Sequence, residues 1–213
     1  MPLEQLDETA KQILSAASRR FLHYGYGKTT MSEVAQDCNM STGNLYRYFP
    51  SKLDIAEKFV AVLRLEHIER LRGIMEAKGK SPKEKLREFF LTKFRLAYER
   101  FHDRPKAFEL SQTLLAERPK VALEWENAEA QILAEILSHG EAEGSFTVGN
   151  PHETARILQD IAFRFTSPAV FHEGEADILT KELNGVLDLV LDAFAWRNYQ
   201  RAGGHRRGVP GEL

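Results

Sequence analysis

The segment from Thr42 to Tyr48 carries the side chains whose types and spacing could do the most chemistry. Hydrogen-bonding residues surround one strongly apolar residue, Leu45, and Phe49 follows four positions later. If Leu45 and Phe49 form the buried seam of a short helix, the remaining side chains point away from it. Asn can pair bidentately with adenine and Arg with guanine, and a Thr methyl group can contact the thymine methyl group. These outward side chains therefore suit contact with the base edges of duplex DNA.

Two short helices must present this segment. Thr30-Met31-Ser32-Glu33 is a capping box, which predicts a helix from Met31 to about Cys38. Ser41 can cap a second helix, and Phe49-Pro50 ends it because the residue before Pro is pushed out of the α region. Helices this short are not stable alone, so their neighbours must hold them. Two such helices joined by a tight turn predict a helix-turn-helix.

Longer helices flank this pair. An apolar stripe from Ile13 to Leu22 predicts a first helix that ends at Tyr24-Gly25, where Gly can take the left-handed cap position. Ser51 is expected to cap a long helix that runs to about Lys78, with Asp54 in its first turn.

The later chain repeats the same start signals. Ser81-Pro82-Lys83-Glu84 and Asn150-Pro151-His152-Glu153 each place an N-cap before Pro, and helices are expected to begin at Pro105 and Pro119. A last helix is predicted from Ile178 to about Tyr199. The pattern predicts an all-α fold of about nine helices, with a disordered tail at 202–213.

Composition bounds the function. The formal net charge is −2, but residues 19 to 52 carry five basic side chains against two acidic ones, which fits a phosphate backbone bound at one end. The acidic, polar start is not a signal peptide, and no apolar run reaches the length of a membrane helix, so no membrane partner is expected. The single cysteine, Cys38, excludes a disulfide framework and fits a reducing cytoplasm as a small core residue.

The segment GKTTMSEVAQDCNMSTGNLYRYFPSKLDIAEKFV closely resembles the DNA-binding domain of TetR/AcrR-type transcriptional regulators. The resemblance covers roughly Glu8 to His67. Its most specific parts are Thr29-Thr30, Val34-Ala35, Ser41, Gly43-Asn44-Leu45-Tyr46, Tyr48-Phe49 and Ser51-Lys52. The sequence departs from the family at Cys38-Asn39-Met40, where Ala-Gly-Val is commoner, although Asn tolerates a left-handed φ.

The resemblance implies a one-component transcription factor. Its helix-turn-helix DNA-binding head is expected at residues 1–50, a connecting helix at 51–80, and a helical ligand-binding and dimerisation body at 81–201. The expected DNA-contacting residues are Thr29, Thr30, Ser41, Thr42, Gly43, Asn44, Tyr46, Arg47, Tyr48 and Lys52. Among them, Thr30 and Lys52 are expected to meet phosphate, which positions the protein without specifying sequence.

The stripe Phe89, Phe90, Phe94, Tyr98 and Phe101 carries more aromatic surface than one packing face needs. Part of it is expected to be core, and part to line a cavity for a small apolar or aromatic effector of unknown identity. The expected ligand-binding residues are Phe90, Phe94, Tyr98, Phe101, His102, Trp125 and Phe163. Polar anchors are sought among Arg95, His102, Gln112 and Arg164.

The last two predicted helices carry an apolar stripe that is wider than one neighbouring helix would cover. Together with the family resemblance, this stripe predicts a homodimer that forms through a four-helix bundle. The expected interface residues are Ile161, Phe165, Leu183, Val186, Leu187, Val190, Leu191 and Phe194. The alternative is a buried core helix in a monomer.

A helical enzyme and a ligand-sensing protein without operator binding are the two alternatives. A helical enzyme would need a convergent polar site, and the sequence shows no nucleophile elbow, phosphate-cradling Gly loop or metal-ligand spacing, so no enzyme activity and no metal or other cofactor are expected. A ligand sensor or scaffold without operator binding would lose the recognition helix, which here keeps Asn44, Tyr46 and Arg47. Repression is expected over activation by family habit.

Overall fold

A computed structural model describes residues 6–167, 171 and 176–201, and the predicted tail at 202–213 lies outside them. In these residues the chain forms α-helices and a short 3-10 helix, with no β-strand, which confirms the all-α prediction. The helices are α1 (Glu8–His23), α2 (Met31–Asp37), α3 (Thr42–Tyr48), α4 (Lys52–Glu76), α5 (Pro82–Phe101), α6 (Pro105–Glu117), α7 (Pro119–Ala142), α8 (Pro151–Ala162), the 3-10 helix (Phe163–Thr166) and α9 (Ala176–Arg201).

The helix starts follow from local capping chemistry. At α2, the Thr30 Oγ1 accepts from the Glu33 amide at 3.3 Å, and Glu33 Oε2 accepts from the Thr30 amide at 2.8 Å. The same reciprocal box joins Ser81 and Glu84 at the start of α5. Asn150 caps α8 by accepting from two amides. Because each box satisfies amides that have no partner within the helix, the predicted starts are confirmed.

The turn between α2 and α3 is confirmed as a left-handed turn at Asn39. Its φ is +53°, and the amide of the next residue, Met40, donates to the Ala35 carbonyl at 3.0 Å. Asn adopts this conformation more readily than other residues with a Cβ, because its short polar side chain tolerates it. The turn therefore forms without the Gly that is commoner in the family.

Two hydrophobic cores organise the molecule. The first lies among α1, α2, α3 and the start of α4, and it also takes Leu110 and Leu114 from α6. The second lies in the body, where α5 and α7 pack with α8 and α9. The head predicted at residues 1–50 therefore shares its core with two later helices.

The aromatic stripe of α5 faces this second core. Phe89, Phe90 and Phe94 are buried, packed with Leu133 and Leu137 of α7 among others. The ring of Phe146, which belongs to the same core, packs directly on the backbone of Gly140, since a Cβ on Gly140 would lie 2.2 Å from that ring. These aromatic rings stabilise the body instead of lining an open space.

Candidate DNA interface, effector cavity and dimer face

Helix α3 is held by one side and exposed on the other. Leu45 is fully buried in the first core and Phe49 is nearly so. Tyr46 is 50% exposed, and Arg47, Tyr48 and Gly43 are also exposed, while Thr42 and Asn44 are half-buried. The Ser41 hydroxyl caps the helix by accepting from the Asn44 amide at 3.2 Å. The structure thus brings the expected recognition residues together on one short, outward helix.

The side chain of Thr29, which was expected to contact DNA, does not reach the surface. It is buried, and its hydroxyl donates to the Gly25 carbonyl at 2.9 Å. Thr30, by contrast, is exposed at the start of α2. Thr29 therefore fixes the turn between α1 and α2, and only Thr30 presents its side chain outward.

Lys52 has an internal role that its sequence position did not indicate. Its Nζ donates to the carbonyls of Tyr26 and Thr29, both at 2.7 Å, and lies 4.3 Å from the centroid of the Tyr26 ring. Burial lowers the pKa of this ammonium, although Glu109 and Glu33 oppose the effect. An ammonium has three N–H donors, so one remains for a phosphate. Lys52 joins the α1–α2 turn to the start of α4.

Arg20 of α1 forms ion pairs with two acidic residues of α2. Arg20 holds Asp37 bidentately, with Nε to Oδ2 at 2.5 Å and the second bond at 2.9 Å, and its third nitrogen lies 3.2 Å from Glu33. The hydrogen bonds from Arg20 lower the pKa of the Asp37 carboxyl group. Arg19, Lys28 and Arg47 are exposed. Since Glu33 and Asp37, the two acidic groups of residues 19–52, both pair with Arg20, the exposed charge of this segment is positive.

A cavity of about 450 Å³ lies between α4, α5, α6 and α7, with Leu22 of α1 at its edge. We call it the body cavity. Its apolar wall comes from all these helices: Phe59, Val60, Leu63, Leu96, Phe101, Ala107, Leu110, Leu114, Leu115, Val121, Ala122 and Trp125. Its size and apolar lining are typical of small-molecule sites.

Only part of the expected ligand set lines the body cavity. Phe101 and Trp125 do, but Phe90 and Phe94 are in the second core and Phe163 is 68% exposed. Tyr98 packs against that core and stacks on His102, with ring centroids 4.3 Å apart, and neither lines the cavity. The outcome differs because most of the α5 stripe packs in the second core, and only its last ring, Phe101, reaches the cavity, next to Leu96 and Arg100.

The polar residues of the lining were also missed. The expected anchors Arg95, Gln112 and Arg164 are exposed and outside the lining. The structure places Arg64 and His67 of α4 and Arg100 of α5 there instead. Helical periodicity puts Arg100 on the same face of α5 as Leu96, four residues earlier, which also lines the cavity. No sequence pattern marks a wall shared by four helices.

A buried carboxylate, Glu129 of α7, lies beside the cavity and gathers cations from two other helices. Lys93 Nζ is 2.7 Å from Oε2, while His67 Nε2 and a terminal nitrogen of Arg64 lie 3.2 Å and 3.5 Å from Oε1. Burial acts to raise the pKa of Glu129, but His67 and Lys93 outweigh it and bring the pKa to about 2. Burial also lowers the pKa of His67. This cluster joins α4, α5 and α7.

Helix α6 lies between the body cavity and the head. Leu110 and Leu114 line the cavity and also belong to the first core. Glu109 of the same helix accepts from the Gly27 amide at 3.3 Å. Helix α6 therefore contacts the body cavity, the first core and the α1–α2 turn.

The expected dimer residues divide into two groups. Leu183, Leu187, Leu191, Phe194 and Phe165 are buried within the protomer, and Val186 and Val190 pack against the same core. Ile161 is exposed, together with Ile157 on α8 and with Leu189 and Trp196 on α9. We call these four residues the outer apolar set. The stripe chosen from the sequence faces inward because α9 carries apolar residues on two sides and one side must cover α5.

Three further features of the described part of the chain concern metal ligands, the cysteine and membrane-spanning helices. There, no three His, Cys, Asp or Glu side chains come together as metal ligands do. Cys38 is a free thiol in the first core, and burial raises its pKa. Along residues 6–167 and 176–201, no helix has both the length and the apolar composition that crossing a membrane requires.

A helix-turn-helix head on a helical body with a cavity defines the class of one-component helical transcription factors. Two family models match the chain: "Bacterial regulatory proteins, tetR family" at residues 13–59 and "Tetracyclin repressor-like, C-terminal domain" at residues 82–187. The chain belongs to the TetR family of DNA-binding transcriptional regulators, which are not enzymes.

Individual relatives are distant. The regulator HbdR of Aromatoleum sp. (strain CIB) is 42% identical over 50 residues, which are 24% of this chain and 22% of HbdR. The repressor KstR2 of Mycobacterium tuberculosis (strain ATCC 25618 / H37Rv) is 24% identical over 144 residues, 67% of this chain and 71% of KstR2.

Solved structures extend the likeness to the whole fold. A TetR/AcrR-family regulator from Thermobifida fusca matches with a TM-score of 0.69 at 21% identity, covering 85% of this chain and 97% of that one. This likeness concerns the fold alone. The chain spans only 22% and 26% of the length of the first two curated relatives that it matches.

Proposed function

We propose that this protein is a homodimeric repressor that binds a near-palindromic operator through α3 and is released by a small molecule in the body cavity. One observation carries the proposal: Leu110 and Leu114 of α6 belong both to the cavity wall and to the core of the head. An effector that contacts α6 therefore acts on the elements that hold the recognition helix.

The expected contacts on DNA follow from exposure. Arg47, Tyr46 and Asn44 are the candidates for base edges, and Thr30, Tyr48 and the third N–H of Lys52 for phosphates. Thr29 is left out of this proposed set, because its side chain is buried.

The dimer is proposed through the outer apolar set on α8 and α9. Ile157, Ile161, Leu189 and Trp196 are all about half exposed or more, and their burial against a second copy would remove a large apolar area from water. An isologous contact of this kind holds two heads in a fixed relation. Half-sites are then expected about 34–36 Å apart or somewhat more.

Regulation is proposed as a population shift. The protein has a state that fits the operator and one that does not, and an effector that binds the second state better favours release. Repression is preferred to activation because KstR2 of Mycobacterium tuberculosis is named a repressor. Because it acts on DNA, the protein is expected to work in the cytoplasm.

The test is selection of bound fragments from genomic DNA, followed by gel-shift titration of the enriched site across salt. Affinity should fall steeply with salt, since phosphate contacts release counterions. A random duplex of equal length is the control. Equal affinity for both duplexes, or a flat salt response, would favour the alternative of a ligand-sensing protein without an operator.

A further inference from the structure

The polar part of the body cavity is strongly cationic. Its lining contains five arginines against two glutamates. Arg118 is neutralised by Asp54 and Glu57 of α4, at 3.3 Å and 2.9 Å. The remaining arginines include Arg64 of α4, which shares the carboxylate of Glu129 with Lys93, and Arg100 of α5. A cavity lined by one sign of charge with apolar walls concentrates ligands of the opposite sign.

Arg100 stands out among these side chains. It is partly buried, and within the described ranges it makes no hydrogen bond and no ion pair with another residue. Burial lowers the pKa of Arg100 to about 10, and the neighbouring Arg64 adds to the effect, while the more distant charges of Glu129 and Glu66 oppose it. A guanidinium that is partly withdrawn from water without a hydrogen-bond partner loses hydration, which an anionic ligand in the cavity would restore.

Two other polar groups of the lining are also unsatisfied. In the part of the chain that is described, the Arg64 Nε and the His67 Nδ1 are buried atoms without a hydrogen-bond partner. The nearby carboxylate, Glu129, lies 2.7 Å from Lys93 and is not within ion-pair distance of Arg100. The Nε of Arg64 is a donor, and Arg100 offers only donors, so the partner that these two side chains lack is an acceptor with negative charge.

The opposite surfaces are apolar and partly aromatic. Trp125 lies under Arg64, whose guanidinium carbon is 5.1 Å from the ring centroid, and Phe59 and Leu63 continue the wall along α4. A ligand that fits must therefore have a charged end and an apolar body.

We propose that the effector is an amphipathic anion, an apolar or aromatic molecule with one carboxylate, sulfonate or similar group, whose negative end binds Arg100 beside Arg64. A guanidinium holds such oxygen pairs with two parallel bonds, which gives orientation as well as affinity. The inference rests on the proposed function in one respect, that the body cavity is the effector site.

The test compares two fluorescent probes that share one scaffold. 1-Anilinonaphthalene-8-sulfonate carries a negative charge, and N-phenyl-1-naphthylamine is the same ring system without the sulfonate. The wild-type protein should bind the sulfonate at least about tenfold more tightly, the range of one charged hydrogen-bonded pair. Energy transfer from Trp125 locates the probe, and it should fall strongly in Trp125→Phe, because the other tryptophan, Trp196, lies on α9 outside the cavity lining.

Variants separate charge from shape. Arg100→Met keeps the length of the side chain and should remove the preference for the sulfonate, leaving the binding of the neutral probe unchanged. Arg100→Lys should keep part of it. The matched control is Arg72→Met, since Arg72 is exposed on α4 and 3.8 Å from Glu135, outside the cavity lining. Thermal unfolding of each variant checks that the fold persists.

Equal binding of the two probes by the wild type would overturn the proposal. So would an unchanged preference in Arg100→Met, or an equal loss in Arg72→Met, because the sulfonate would then bind surface arginines. No step of this test uses DNA. A protein without an operator can therefore still show the anion preference, and an operator-binding protein can fail to show it.

Discussion

The Nε of Arg118 lies 2.9 Å from Oε2 of Glu57, so a side chain that lines the body cavity holds the start of α4. Its other arm reaches Asp54 at 3.3 Å, and Asp54 in turn accepts from the Ser51 hydroxyl that caps α4. This gives the cavity a second link to the head, separate from α6.

Replacement of Arg118 by Met should weaken operator binding about two- to fivefold and speed hydrogen exchange in the first turn of α4. The physical reason is the loss of two exposed ion pairs, each of modest strength. Arg164→Met is the matched control, because it removes the exposed pair with Glu182 far from the head. If both variants bind the operator equally, the link at Arg118 has no role in DNA binding.

Lys52→Met should act on both folding and DNA binding. Two carbonyls lose their donor, which should cost about 1–3 kcal/mol of stability, and all DNA sequences should bind more weakly. Asn44→Ala and Arg47→Ala should leave stability nearly unchanged, because both residues lie on the outward helix, and should cost about 1–3 kcal/mol on the operator alone if they reach base edges. Thermal unfolding and gel shifts on operator and random duplexes distinguish the two classes.

Two neighbouring leucines of α9 should respond in opposite ways to a charge. Leu189 is 72% exposed, so Leu189→Arg should leave the protomer folded and make it monomeric. Leu187 is 3% exposed, so Leu187→Arg should place an unpaired charge in the second core and unfold it. Light scattering and thermal unfolding measure both. A folded dimer of wild-type size for Leu189→Arg would place the interface elsewhere.

Glu129→Gln should destabilise the body by about 3–5 kcal/mol at neutral pH, since Lys93 and Arg64 would lose their buried counter-charge. Burial raises the pKa of Glu129, but His67 and Lys93 lower it to about 2, below the ordinary 4.5. The carboxylate therefore stabilises the fold above about pH 4.5, and this contribution is lost as the pH falls to about 2. The difference between variant and wild type should narrow over that range.

Denaturant unfolding at several pH values checks this prediction. Glu135→Gln is the control, because Glu135 is partly exposed and makes only surface contacts, at 3.8 Å with Arg72 and at 3.3 Å with Gln131. An equally large loss in both variants, or a difference that does not depend on pH, would contradict the role given to the buried carboxylate.

Local chemistry made the helix starts and the tight turn predictable. The spacing of Thr30 and Glu33, and the tolerance of Asn39 for a positive φ, depend only on residues close in sequence. The direction of α9 depended on something else. Leu187 and Leu189 are equally apolar, and only the packing of α5 against α9 decides which of them is buried.

The cavity could not be placed from the sequence for a related reason. An aromatic stripe such as Phe90 and Phe94 indicates burial but not whether the space around it is filled. Here Leu133 and Leu137 of α7 belong to the core around those rings, and the void forms elsewhere, among α4, α5, α6 and α7. The contacts of Lys52 were unpredictable for a similar reason. Its acceptors are backbone carbonyls, which every residue has, so no residue type in the sequence marks them.

The presence of Leu110 and Leu114 in the first core has a consequence for how heads can be exchanged between relatives. A fragment ending near residue 67 would lack two of the side chains that close its interior, so the segment that resembles the family most is not an autonomous module. A chimera that grafts this head onto a foreign body must bring a compatible α6 with it. Recombination and engineering at the head boundary are therefore constrained by α6, which begins more than forty positions after Val60, the last α4 residue that packs against the first core.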